Sequence, residues 1–279
     1  MTGAEALSGG PPAGDPDLTS PGLEGSPDAL RAAMGRLLLT LADTKRILGL
    51  RYSDWLLGAP AIEAGIAASS MAQDEWGHAR LLYATLGDFG EDPRVLEHER
   101  DAANWTSLEV LDGPFEDWAQ FVGRSLVVDA ALAIALEGLK AGLYAPIDGR
   151  LAKMLAEEEF HRSLLEAWCT RLASGSTEAR GRLGAAITGA FPAALRWVGP
   201  GDGPHARLRE AGLTSGAPTL RAALVGRVRP FVRSLGLDLP GPASLDDDWD
   251  GTRARGAGQP DDDVVERARG DRNRALFVE

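Results

Sequence analysis

Histidine and cysteine are scarce in this chain, with four of the first and one of the second among 279 residues. The lone Cys169 excludes an internal disulfide and an iron–sulfur cysteine set. It fits a reducing compartment. Positive charge is also short. Lys and Arg number 29 against 41 Asp and Glu, a net charge of -12. Phosphate backbones select basic surfaces, so a nucleic-acid partner is not expected. No 18-residue run reads as apolar enough to span a membrane. No basic region followed by an apolar stretch marks a secretory leader, so the expected location is cytoplasmic. Alternating β-type patterning is missing as well. What is abundant is Ala, Leu and Arg, which favour helix, and the expected class is all-α.

The two ends lack the apolar content to fold. Residues 1–28 are rich in Gly, Pro, Ser and Ala, with five acids and no Lys or Arg. Such a segment cannot offset its ordering entropy by burial, and a disordered tail is expected. Residues 237–279 carry Asp246-Asp247-Asp248 and Asp261-Asp262-Asp263 and read as an acidic, largely disordered tail with room for a short helix near Val264–Arg274. Between them, 29–236 reads as one helical domain. Apolar residues recur at helical spacing from Leu30 through Leu48. Gly58-Ala59-Pro60 breaks that helix, and a second is predicted over about 61–86. A third, about 115–143, is apolar on nearly every face from Leu126 to Ile134 and should be buried. A fourth is predicted over 147–173, a fifth over 177–197, and further helix reaches the 230s.

Two of the four histidines sit in Asp74-Glu75-Trp76-Gly77-His78 and Glu157-Glu158-Glu159-Phe160-His161. Each is Glu-x-x-His within a predicted helix. That offset puts a carboxylate and an imidazole on one face. One such pair is weak, but two are what a four-helix bundle uses to hold two metal ions, each remaining helix adding one acid. The third helix offers Asp129 and Glu137. Asp129 lies alone in the most apolar stretch, where an unpaired carboxylate is costly. It lies about as far before the turn near residue 144 as Glu158 lies after it, so the two should meet. Glu137 would sit about 12 Å further along the axis at ~1.5 Å per residue. On the first helix the matching window is 42–46, where Asp43 is the only acid and Arg46 lies one turn away. Asp43 is a candidate ligand there, or Arg46 occupies the ligand's place. His98 and His205 lack a partner at motif spacing and read as surface residues. Cys169 reads as a buried filler.

The run Leu41 to Trp55, with Gly58-Ala59-Pro60 and Glu63, resembles the phenylacetate-catabolism ferritin-like proteins, the oxygenase subunits of phenylacetyl-CoA epoxidase. Gln73 to Tyr83 and Glu157 to His161 continue the resemblance, which spans about 35–172. It implies a ferritin-like four-helix bundle with additional C-terminal helices. It also implies two related kinds of subunit, one catalytic and di-iron, the other structural and metal-free. The first helix here is closer to the structural kind, because Arg46 stands where the catalytic kind has a glutamate before an Ile-Ile-Gly-like run. The two Glu-x-x-His pairs and Asp129 are closer to the catalytic kind.

The expectation is a carboxylate-bridged centre of two irons, with manganese or a mixed pair as alternatives, held by Asp43, Glu75, His78, Asp129, Glu158 and His161. The function it implies is an O2-activating monooxygenase acting on an organic substrate, aromatic or acyl-CoA. An external reductase would supply electrons, a related oxygenase subunit is an implied partner, and a homodimer is expected by analogy. The competing readings are a metal-free structural subunit and a ferritin-like protein that handles iron or peroxide.

Overall fold

A computed structural model describes residues 27–142, 147–201, 204–241 and 249–271. The expected N-terminal tail up to residue 26 and the Asp246–Asp248 run lie outside the described residues. Four long helices form the bundle: α1 (Pro27–Ser53), α2 (Ile62–Leu86), α4 (Trp118–Lys140) and α5 (Asp148–Ala173). Between them comes the short α3 (Pro93–His98). After them follow α6 (Thr177–Trp197), α7 (Pro204–Glu210), α8 (Ala217–Ser234) and α9 (Asp262–Arg269). The described residues contain no β-sheet; one isolated bridge pairs Asp250 with Arg255. The fold is all-α, a ferritin-like bundle with extra C-terminal helices.

Local chemistry sets the helix ends. The third long helix begins at Trp118, not 115, because the Asp117 carboxylate accepts from the Gln120 backbone N–H at 2.8 Å and caps it. Ser176 caps α6 in the same way, accepting from the Ala179 N–H. Gly49 lets α2 approach α1, since a Cβ there would lie 2.5 Å from the Trp76 indole nitrogen.

α1 pairs along its length with α2, and α4 with α5. α6 and α8 cover the outer side of α4, while α7 and α9 lie on α1. Covered on every side, α4 can be apolar all round. Contrary to the sequence expectation, it is long and apolar enough to cross a membrane by length and composition, but 89% of its most apolar window is buried within the fold. It is the central helix of the bundle, and Asp129 is a buried acid in its middle.

The C-terminal region also departs from expectation. Residues 249–271 fold back onto α1 and α3 instead of forming a solvated tail. The cause is an apolar face within an acidic segment: Val264, Val265 and Ala268 are buried, with Asp262 and Asp263 in the first turn, where they favour the helix dipole. Arg46 Nη2 donates to the Ala268 carbonyl at 2.6 Å, and His98 Nδ1 lies 2.9 Å from the Arg269 carbonyl. His98 therefore ties α3 to α9.

Candidate metal centre

Three helices bring one polar cluster into the middle of the bundle. Glu75 from α2, Asp129 from α4, and Glu158 and His161 from α5 each offer a ligand atom, and these atoms lie within 4.8 Å of one another. All four residues are buried. His161 Nδ1 lies 3.4 Å from Glu75 Oε1 and 3.8 Å from Asp129 Oδ2. His78 borders the cluster, its Nδ1 3.6 Å from Glu158 Oε1.

Outer contacts aim both imidazoles inward. His161 Nε2 meets Asp74 Oδ2 at 3.2 Å, and His78 Nε2 meets Glu157 Oε2 at 2.7 Å. Each helix thus lends the acid just before its own motif glutamate to the other helix's histidine. In the neutral imidazole, a Nε2–H that donates outward leaves the Nδ1 lone pair facing the centre, the orientation that metal-binding histidines need. The Tyr52 hydroxyl donates to Asp129 Oδ1 at 2.6 Å. Glu137 lies outside the cluster and pairs with Arg227 of α8.

Asp43 is not in this cluster. It faces the opposite side of α1, where Tyr83 donates to Oδ1 at 2.6 Å and Arg100 donates to both oxygens. The Thr106 backbone N–H and hydroxyl donate to Oδ2 at 2.8 and 3.0 Å. Arg46 does not enter the centre either; it pairs with Glu97 at 3.0 Å and reaches α9. The α1 side chain that reaches the two glutamates is Lys45. Its ammonium donates to Glu75 Oε2 at 3.0 Å and to Glu158 Oε1 at closer range, and the residue is completely buried.

The charges adjust to one another. Burial alone would lower the Lys45 pKa, but Glu158 and Glu75 hold it above its ordinary value. Burial would raise Glu158, yet Lys45, His78 and His161 together outweigh it and keep Glu158 well below the usual carboxylate range. Burial and the charge of Glu158 push Asp129 far upward. Burial opposes the His161 imidazolium, but its contacts with Glu75 and the charge of Asp129 raise it to about 10.

Orphaned atoms show what the site fits. Asp129 Oδ2, Glu158 Oε2 and His161 Nδ1 are buried without a hydrogen-bond partner. Buried polar atoms left so are costly unless something absent from the protein chain satisfies them. With Glu75 they make a three-carboxylate, one-imidazole set suited to one hard or borderline divalent ion. A second ion would have to share Glu75 and Glu158, take His78 Nδ1, and receive an acid from α1. The residues present do not fit that ion, because α1 delivers an ammonium to the same two carboxylates.

Beside the cluster, α4, α5 and α8 enclose a cleft of about 580 Å³, including space open to solvent. Leu126, Ala130, Leu165, Val228 and Phe231 give it apolar walls, and Asp129 and Glu158 border it. The Glu137–Arg227 pair lies at its rim.

Sequence reasoning weighed Asp43 and Arg46 and passed over Lys45 and Tyr52; it read Asp74, Glu157 and Glu159 as flanking the ligands, facing away or orienting neighbouring groups, without the crossed contacts to the opposite histidines. A signal existed for each. Leu41, Lys45, Leu48 and Tyr52 follow one another at steps of four, three and four, a single helix stripe. An acid precedes the motif glutamate in both Glu-x-x-His pairs.

No curated protein matches the chain. The profile of the family described as "Phenylacetic acid catabolic protein" matches residues 21–273. The bundle, its buried carboxylate and histidine cluster and this match over nearly the whole length place the chain in the phenylacetic acid catabolic protein family, a class of ferritin-like oxygenase subunits.

Proposed function

We propose that this chain is a supporting subunit of a multicomponent oxygenase and does not itself activate O2. One observation carries the reading: the Lys45 ammonium, sealed between Glu75 and Glu158. Dinuclear iron would supply paired redox equivalents for O2 chemistry. A fixed ammonium supplies charge and no electrons. In this reading Lys45 holds α1 to α2 and α5 electrostatically, Tyr52 fixes the protonation and position of Asp129 on α4, and the apolar shell excludes water. The partner would be a related chain carrying the dinuclear centre, served by an external reductase, with an aromatic or acyl-CoA thioester as substrate and the cytoplasm as location.

A second reading is favoured by the cleft that reaches Asp129 and Glu158. There an organic substrate would lie beside a metal bound in this chain, which would then be the monooxygenase itself. O2 consumption separates the two. The purified chain is loaded anaerobically with Fe(II), then given air, a chemical reductant and phenylacetyl-CoA. The supporting-subunit reading expects no O2 uptake above a control of Fe(II) without protein. Uptake coupled to an oxygenated thioester product would overturn it.

A further inference from the structure

We infer that Lys45 is a built-in cation that takes the place of one metal ion of a pair, leaving a site for a single divalent cation at Glu75, Asp129, Glu158 and His161. This rests on the supporting-subunit reading above and adds a stoichiometry and the residue that sets it.

Three observations converge. The ammonium bridges Glu75 and Glu158, the two glutamates that come from the two Glu-x-x-His motifs. A bridging position between those carboxylates is where a cation neutralises both at once. Lys45 cannot withdraw by extending its stem to solvent, as lysines commonly do. It shares its stripe of α1 with Leu41, Leu48 and Tyr52, all fully buried.

The second observation distinguishes this from an ordinary buried ion pair. Such a pair needs its remaining lone pairs satisfied. Here Glu158 uses Oε1 for Lys45 while Oε2 has no partner, and Asp129 Oδ2 and His161 Nδ1 are also unsatisfied. These three atoms belong to the four-residue set; a fourth unsatisfied atom, His78 Nδ1, lies beside Glu158 Oε1, the oxygen that Lys45 holds. The ammonium therefore accounts for one side of the centre and leaves the other side built for a cation.

The third observation is the persistence of both histidine supports. Glu157 still aligns His78, and Asp74 still aligns His161. His78 Nδ1 is oriented toward Glu158 and has no hydrogen-bond partner. The second ion position thus keeps its imidazole and both shared carboxylates. It lacks only an acid from α1, and Lys45 stands at that point.

Replacing Lys45 should therefore change how many ions the chain holds. The metal-free chain and its Lys45→Glu and Lys45→Met variants are equilibrated with Mn2+ anaerobically, ions per chain are counted, and folding is followed by circular dichroism. The wild type is expected to hold one Mn2+ and Lys45→Glu to hold two. Lys45→Met removes the neighbouring positive charge without adding a ligand. It should hold one Mn2+ at least about tenfold more tightly than the wild type, because like charges a few ångströms apart repel strongly in a buried site.

Two Mn2+ in the wild type, or none, would overturn the inference. So would a folded Lys45→Glu with the wild-type count. If Lys45→Glu fails to fold with and without Mn2+, Lys45→Met decides, and an affinity equal to wild type overturns the inference. The supporting-subunit reading fails separately, through O2 uptake by the iron-loaded wild type, which a Mn2+ count does not touch.

Discussion

Two buried acidic clusters lie on opposite sides of α1, and they are satisfied in opposite ways. Around Asp43, every carboxylate oxygen is met by donors from Tyr83, Arg100 and Thr106. Around Glu158, donors run out: Asp129 Oδ2, Glu158 Oε2 and His161 Nδ1 stay unpaired. The first cluster is complete within the protein and ties α1 and α2 to the loop before α4. The second is complete only on the side that Lys45 closes. Burial alone does not separate a structural acid from a ligand acid. The count of satisfied lone pairs does.

The comparison breaks most visibly at Asp43. Asp43→Ala leaves the largely buried Arg100 without its carboxylate partner, and losing one member of such a pair costs up to about 3–5 kcal/mol. Denaturant unfolding of the metal-free chain should show a loss of that size. The number of bound ions should not change. An altered ion count with unchanged stability would assign Asp43 to the wrong cluster.

That distinction was beyond the reach of the sequence for a physical reason. The four long helices were legible from their apolar rhythm and from Gly58-Ala59-Pro60. The doubled Glu-x-x-His and the isolated Asp129 marked the centre. Register on α1 was not legible. Asp43 and Lys45, two positions apart, point to opposite sides of the helix, and both are buried. A helix with one wet face declares which side is inner. α1 has α2 on one side and α9 and the segment around Thr106 on another, so its polar residues carry no such mark. A short helix near α9 was legible, but its packing onto α1 was not, because three buried side chains sit within a strongly acidic run. Lys45 was legible in principle, through the stripe it shares with Leu41, Leu48 and Tyr52.

Asp112 lies between the two cases and sharpens the comparison. Its Oδ2 accepts from buried Arg255, while Oδ1 has no partner. Burial pushes its carboxyl up to about 6, against the pull of Arg255. The folded protein therefore holds this proton more tightly than the unfolded chain. Its contribution to stability is present below the ordinary value of 3.8 and is lost as pH rises through about 6. The expected loss across that window is on the order of 3 kcal/mol. Unfolding curves at several pH values should show a slope there that Asp112→Asn flattens. An identical slope in the variant would place its source elsewhere.

The smallest expected effect concerns the two histidine supports. With one ion on the His161 side, Asp74→Asn should weaken Mn2+ binding by about tenfold, the lower end of what such outer contacts contribute. Glu157→Gln, which frees His78, should leave the affinity nearly unchanged. Equal losses in the two variants would place metal on both sides of the centre.

The central claim is that Lys45 fills half of a two-ion centre. Electron paramagnetic resonance of the wild-type chain saturated with Mn2+ tests it most directly. Magnetically isolated Mn2+, at one ion per chain, is the result this account expects. The spectrum of an exchange-coupled Mn2+ pair would contradict it, because no such pair can form while the Lys45 ammonium lies between Glu75 and Glu158.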